Sequence, residues 1–83
     1  SMGFYAEIED RVITEFRAGA GSMSPIPIRL PKLEASLRGK ALTEETIDTA
    51  AETARQEVNP RKSPAWRRAM TANAVRDFLN EIK

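Results

Sequence analysis

The chain contains no cysteine and no histidine among its 83 residues. Without cysteine it can form no disulfide bond and no thiolate metal site, and this composition fits the reducing cytoplasm, where we expect the protein to reside. Without histidine it lacks the commonest general base, the usual metal ligand and the partner that activates a catalytic serine. Any catalysis would therefore fall to carboxylates, lysines or Tyr5.

Long apolar runs are also missing. No run approaches the ~18 residues of a membrane-spanning helix, and the first residues lack the basic-then-apolar pattern of a secretion signal. The net charge is only +1, so the chain has no overall attraction to nucleic acid. With 41% apolar and 30% charged residues, the composition is that of an ordinary soluble globular domain. We interpret residues 1–2 as a tag remnant and residues 3–83 as a single domain.

Two stretches near the start of the chain alternate apolar and polar residues, which predicts two strands with one buried face each. Asp10-Arg11 lies between them and is the expected hairpin turn, although it lacks the favoured Asn-Gly. The first stretch places these residues on one face: Phe4, Ala6 and Ile8. The second stretch places Val12, Thr14 and Phe16 on one face, and on the other Ile13, Glu15 and Arg17.

The rest of the chain predicts three helices. Pro31 suits the first position of one helix, and Gly39 suits the left-handed residue after its end. Thr43 is a good N-cap for the second. Its apolar face should comprise Ile47, Ala50, Ala51, Ala54 and Val58, with Asn59-Pro60 as the stop. The third should begin at Ser63-Pro64 and bury residues that repeat every fourth position, with Val75 and Leu79 widening the buried stripe: Trp66, Met70, Ala74, Phe78 and Ile82. The order β-β-α-α-α predicts an α+β fold, a small antiparallel hairpin sheet packed against three helices.

The stretch AGAGSMSPIPIRLP contains a Gly-x-Gly pair directly after the second predicted strand. A dinucleotide-binding loop would need a third glycine where Ser24 stands, and a helix opening behind it. Pro25 and Pro27 prevent such a helix, because each lacks an N–H group and restricts the residue before it. We therefore predict a strand end with a proline-stiffened link, and no catalytic, cofactor-binding or metal-binding residue.

A basic cluster surrounds the predicted start of the third helix: Arg61, Lys62, Arg67 and Arg68. Positive charge at a helix N-terminus is unfavourable, so an anion should offset it. One candidate is a nucleic-acid phosphate. The other is ion pairing, within the chain or at an interface, with the acids of the second helix, and we favour it because small basic clusters are usually paired or solvated. These four residues are the predicted interaction site.

Four motifs then occur in a recognisable order. The segment 21–29, GSMSPIPIR, is similar to a Gly-Gly/Ser-x-Ala-Pro-Thr-Pro-x-Arg pattern, and 34–40 carries Glu-x-x-Leu-x-Gly-Lys. The segment 42–54 has a Leu-Thr-Glu-Glu start and an alanine-rich continuation, and 63–68 is similar to Ser-x-x-Tyr-Arg-Arg, with Trp66 in place of the tyrosine. The chain thus resembles the C-terminal domain of the FAD-binding subunit of molybdenum hydroxylases, the xanthine dehydrogenase and carbon monoxide dehydrogenase flavoprotein family.

This resemblance implies a structural and docking domain that is not catalytic by itself. In such enzymes electrons pass from a molybdenum centre through iron–sulfur clusters to FAD. The FAD would belong to the parent subunit and not to this fragment. The implied partners are the FAD-binding subdomains and the iron–sulfur and molybdopterin subunits, with self-association of the isolated chain. Two alternatives stay open: a stand-alone protein-interaction domain, and a small nucleic-acid-binding domain that uses Arg61–Arg68. No membrane partner is expected.

Overall fold

A computed structural model of the chain describes residues 2–20, 28–58 and 65–83. Its elements are β1 (Met2–Glu9), β2 (Val12–Ala20), β3 (Ile28–Arg29), α1 (Pro31–Leu37), α2 (Glu44–Glu57) and α3 (Ala65–Ile82). The predicted α+β class and the order of hairpin and helices are confirmed. The structure adds the two-residue strand β3, which pairs antiparallel with the end of β2 and gives the sheet order β1-β2-β3.

The predicted hairpin turn lies at Asp10 and Arg11. Both residues adopt positive φ angles, 52° and 65°, which is the backbone of the type I′ turn that two-residue hairpin loops favour. Because neither residue is a glycine, each incurs the cost of about 1–2 kcal/mol that the left-handed backbone conformation has for L-residues. Met2, although set aside as part of a tag remnant, pairs with Ala20 at the other end of the hairpin.

A β-bulge changes the predicted face pattern of β2. Glu7 pairs with Glu15, whereas the next residue of β1, Ile8, pairs with Ile13. Thr14 is thus the extra residue, and its hydroxyl donates a hydrogen bond to the Glu7 carbonyl at 3.1 Å. Because the bulge shifts the alternation by one residue, Ile13 and Phe16 are both fully buried. The prediction that Ile13 shares a face with Glu15 and Arg17 was wrong.

The helix ends follow their local signals. Pro31 opens α1, and Gly39 follows its end with φ +79°. The Gly39 N–H donates to the Ile13 carbonyl at 2.7 Å, which joins this turn to β2. Thr43 is the N-cap of α2, and its side chain accepts a hydrogen bond from the Thr46 N–H, as predicted. The predicted ends at Asn59-Pro60 and Ser63-Pro64 lie outside the described residues.

The helices cover one face of the sheet and enclose the core between them. Helix α2 runs antiparallel to α3. Its predicted buried face is confirmed for Ile47, Ala50, Ala51 and Ala54, and Val58 at its end is half-buried. The Phe78 ring of α3 contacts both strands of the hairpin. Its centroid lies 5.0 Å from that of Phe4 and 6.0 Å from that of Phe16. This aromatic group fixes the C-terminal half of α3 against the sheet.

The N-terminal part of α3 contradicts the predicted core. Trp66 is 59% exposed and Met70 is 60% exposed. The residues that α3 buries are Thr71, Val75 and Leu79. The burial of Val75 and Leu79, predicted to widen the stripe, is confirmed. A strict four-residue repeat does not stay on one side of an α-helix, because each step of four advances about 40° around the axis. Trp66 and Phe78 therefore point about 120° apart, and only the later members of the repeat reach the core.

Candidate functional site

Two members of the predicted interaction site lie in the first turn of α3. Arg67 is exposed, and its guanidinium carbon lies 5.6 Å from the centroid of the Trp66 ring, a cation–π arrangement. Arg68 is half-buried. Arg61 and Lys62 lie outside the described residues, so the cluster as a whole stays a prediction. The Trp66 ring, predicted from the sequence to lie in the core, is exposed and lies beside Arg67.

Three acids of α2 make ion pairs in the described part of the chain. Asp48 pairs with Arg76 of α3, and Glu44 pairs with Lys83 at 2.9 Å. Glu52 pairs with Arg55 on its own helix at 2.7 Å, and this guanidinium lowers the pKa of the Glu52 carboxyl. The first two pairs connect α2 to α3 along their exposed edge, and none of the three involves Arg67.

Glu57 has a different partner. Its carboxylate oxygens accept hydrogen bonds from the backbone N–H groups of Lys32 at 2.7 Å and Leu33 at 2.8 Å. Helix α1 has Leu30 at its N-cap position and no side-chain cap of its own. The end of α2 therefore supplies the cap for the start of α1, which satisfies amides that have no partner within the helix. Glu57 thus has a structural role.

Glu34 is the one fully buried carboxylate among the described residues, with 1% exposure. It accepts a hydrogen bond from the Ala18 N–H at 3.0 Å and lies 3.4 Å from a guanidinium nitrogen of Arg38. Arg38 also donates to the Glu15 carboxylate at 2.6 Å and to the Phe16 carbonyl at 3.3 Å. The hydrogen bond with Arg38 lowers the pKa of Glu15 and raises the pKa of Arg38. Glu34 was predicted only as part of a family motif. Its spacing from Leu30 and Leu37, four and three residues away on the same helix face, is the sequence signal for its burial.

The outer face of the sheet carries a shallow depression of about 340 Å³ lined by Tyr5, Glu7, Glu15 and Arg17. The Tyr5 hydroxyl donates to the Glu7 carboxylate at 2.8 Å, which raises the pKa of Tyr5. Glu15 is held by Arg38, as described above. Because a raised pKa makes a phenol a weaker acid and these groups are exposed, the arrangement is that of a solvated sheet surface rather than of a catalytic site.

The start of the Gly-x-Gly stretch does not form a dinucleotide phosphate-binding turn in the described residues. Gly19 and Ala20 continue β2 and pair with Arg29 and Ile28 of β3. Their backbone therefore lies in a sheet and not at the helix N-terminus that binds dinucleotide phosphates. The remainder of the Gly-x-Gly stretch, residues 21–27, lies outside the described residues. Within the described ranges, no group of three or more acidic, histidine or cysteine side chains is arranged to hold a metal ion, and no helix is long and apolar enough to span a membrane.

The sequence matches the family model of the CO dehydrogenase flavoprotein C-terminal domain over residues 1–82. Among solved structures, carbon monoxide dehydrogenase from Hydrogenophaga pseudoflava, in a form that lacks the Mo-pyranopterin moiety of its molybdenum cofactor, is 25% identical with a TM-score of 0.77. The match covers 95% of this chain and 29% of that chain. No significant match is found among curated proteins.

These two matches confirm the resemblance that the four motifs indicated. The family match covers both the sheet and all three helices. The structural match shows the same arrangement of hairpin and helices in a carbon monoxide dehydrogenase chain. The chain belongs to the CO dehydrogenase flavoprotein C-terminal domain family.

Proposed function

We propose that the chain is the C-terminal structural and docking domain of the FAD-binding subunit of a xanthine dehydrogenase-like molybdenum hydroxylase. The observation that carries this proposal is the family match over residues 1–82. The chain spans 29% of the Hydrogenophaga flavoprotein chain that it matches. FAD binding and electron transfer would therefore belong to the remainder of the subunit, in a cytoplasmic enzyme that also contains iron–sulfur and molybdopterin subunits.

The hydrogen bonds that join the elements of the domain suit this role. Glu34 holds β2 against α1, and Glu57 holds the end of α2 against the start of α1. A domain fixed in this way can present its outer surfaces as one rigid unit, so little ordering is needed when it docks. Its contribution to electron transfer would be positional: it would keep the FAD-binding subdomains in place. FAD supplies the redox chemistry of the parent subunit.

A reconstitution experiment tests the proposal. The Hydrogenophaga pseudoflava flavoprotein is prepared without the part that this chain matches, and the chain is added to it in trans. We expect the chain alone to leave FAD fluorescence unchanged, and the mixture to form a complex that retains FAD through gel filtration. Failure of the chain to bind the truncated flavoprotein would overturn the proposal.

The isolated chain should also self-associate. Strand β1 lies at the edge of the sheet over eight residues, and an edge strand offers unpaired backbone groups to a second copy. We expect the sedimentation coefficient to rise with concentration. A monomer at high concentration would contradict this expectation.

Nucleic-acid binding is the second candidate function, because Trp66 is exposed beside Arg67. Single-strand binders combine positive charge with exposed rings on which bases stack. The described residues offer one such ring at this cluster, where such binders use several. A DNA titration at low salt tests this candidate, and the absence of binding would exclude it. A stand-alone interaction domain is distinguished by its gene neighbours: adjacent molybdopterin and iron–sulfur subunit genes favour the flavoprotein function.

A further inference from the structure

An apolar patch occupies the outer face of the first two turns of α3. It consists of Trp66, Ala69 and Met70, all exposed, and we call it the α3 patch. The three residues are spaced i, i+3 and i+4, so they form one continuous surface. The line of Thr71, Val75 and Leu79, which faces the core, lies on the other side of the helix.

The position of this patch argues against a role in the packing of the domain. Trp66 and Val75 are nine residues apart, which places them about 180° apart around the helix. With 59% of its surface exposed, the Trp66 side chain gains only part of the burial that a core position would give it. Because exposing such a side chain forfeits about 1.5–3 kcal/mol of burial, contact with another molecule is the interaction that would recover it.

The chemistry of the patch indicates what kind of surface it fits. Tryptophan and arginine are enriched among the residues that dominate interface energies, and Met70 adds an adaptable apolar side chain. Arg67 lies on the flank of the patch and makes no ion pair with the described residues. A complementary surface would therefore provide an apolar pocket with a carboxylate at its edge.

A second copy of the chain fits this description poorly. Symmetric antiparallel pairing of two α3 helices through their patches would bring the two Arg67 groups to the same edge of the interface, where they would repel each other. The acids of α2 could meet Arg67 in another arrangement, but Glu44, Asp48 and Glu52 already pair with Lys83, Arg76 and Arg55. Glu57 caps α1, which leaves Glu45 as the one exposed acid of α2 without an ion pair among the described residues. The charge of the patch thus favours a different, acidic surface.

We propose that the α3 patch docks against an apolar surface rimmed by carboxylates on the part of the flavoprotein subunit that lies outside this domain. This inference rests on the proposed function. More than two thirds of the matched Hydrogenophaga chain lies outside the part that corresponds to this domain. That polypeptide is large enough to supply the partner surface, and Trp66 is the residue that enters its pocket.

The single tryptophan of the chain provides the test. Chain labelled with 5-fluorotryptophan gives one fluorine resonance, from Trp66, and is titrated with the unlabelled, truncated Hydrogenophaga pseudoflava flavoprotein. We expect the resonance to shift on binding. Arg67→Glu and Met70→Glu should weaken binding by about tenfold or more. Arg17→Glu, a charge reversal on the exposed outer face of the sheet, is the matched control and should bind like the wild type.

The outcomes separate this inference from the proposed function. If the wild type binds while the Trp66 resonance stays unmoved and all variants bind equally, the inference is overturned and the proposed function stands. If the wild type does not bind, both are overturned. A resonance that moves with chain concentration alone would identify a second copy as the occupant. A resonance that moves with a single-stranded oligonucleotide at low salt, and not with the flavoprotein, would identify nucleic acid; either result overturns the inference.

Discussion

The carboxylate of Glu34 in α1 accepts a hydrogen bond at 3.0 Å from the backbone N–H of Ala18 in β2, sixteen residues earlier in the chain. The Ala18 carbonyl accepts another from the Leu30 N–H at 3.2 Å. Ala18 is buried at 3% exposure, so its N–H group has no access to water in place of the carboxylate. One acidic side chain therefore joins the sheet to the first helix.

Replacing Glu34 tests the hydrogen bond between the sheet and the first helix. Glu34→Ala leaves the buried Ala18 N–H without its acceptor, and we expect the free energy of unfolding to fall by about 2–3 kcal/mol. Glu34→Gln keeps an acceptor oxygen and should cost less. Urea unfolding measures both, with Glu45→Ala on the exposed surface of α2 as the control, expected within about 0.5 kcal/mol of the wild type. Equal losses for Glu34→Ala and Glu45→Ala would contradict the account.

The cap that Glu57 supplies to α1 should be measurable locally. We expect Glu57→Ala to lower the free energy of unfolding by about 1 kcal/mol, as for other lost helix caps. Hydrogen exchange should accelerate at the Lys32 and Leu33 amides, because the substitution removes their acceptors. Glu52→Ala, which removes a carboxylate paired within α2, should leave those two amides unchanged. Unchanged exchange in Glu57→Ala would show that the cap does not form.

The hairpin turn should accept a better sequence. Asp10→Asn with Arg11→Gly places Asn-Gly in a type I′ turn, where glycine adopts φ +65° without steric cost. We expect the free energy of unfolding to rise by about 1 kcal/mol. Arg17→Gly, the same replacement within β2, should lower it, because glycine weakens a strand interior. A thermal melt of each variant distinguishes these effects, and a destabilised turn variant would argue against the type I′ geometry.

The Glu15–Arg38 pair predicts a pH dependence. The hydrogen bond from Arg38 holds the folded-state pKa of Glu15 below its ordinary value of 4.5. The ionised form is thus favoured in the folded state. The pair's contribution to stability is fully present above pH 4.5 and is lost as the pH falls through the folded-state pKa. Glu15→Gln should therefore be less stable than the wild type at pH 7, and this difference should shrink below pH 4.5.

Glu9→Gln on the neighbouring strand is the control for this measurement. Unfolding in urea at several pH values gives the difference in stability for each variant. A difference for Glu15→Gln that stays constant down to pH 2 would contradict a role for the ionised carboxylate.

Short sequence signals predicted the helix caps, which depend on neighbouring residues. Thr43 caps α2 and Gly39 adopts its left-handed conformation, because each depends on residues within a few positions. The bulge at Thr14 was not predictable from alternation alone, since it depends on the register with β1. The roles of Glu34 and Glu57 likewise depend on partners far away in the chain.

Trp66 shows where a periodic pattern of apolar residues fails to predict burial. A four-residue repeat of apolar side chains suggested a single buried stripe, yet an α-helix turns through 3.6 residues and carries the early members away from the core. Arg67 is exposed, and its role in an interaction site stays a prediction. The prediction that the neighbouring Trp66 is buried was wrong. Under the docking proposal, the exposed Trp66 has its partner outside this domain.

The FAD content of a chimera tests the central claim most directly. The part of the Hydrogenophaga pseudoflava flavoprotein that corresponds to this domain is replaced by residues 2–82 of this chain, and bound FAD per subunit is measured after purification. The account predicts FAD retention close to that of the intact flavoprotein and well above that of the truncated one. A chimera that folds but retains no more FAD than the truncated protein would contradict the account.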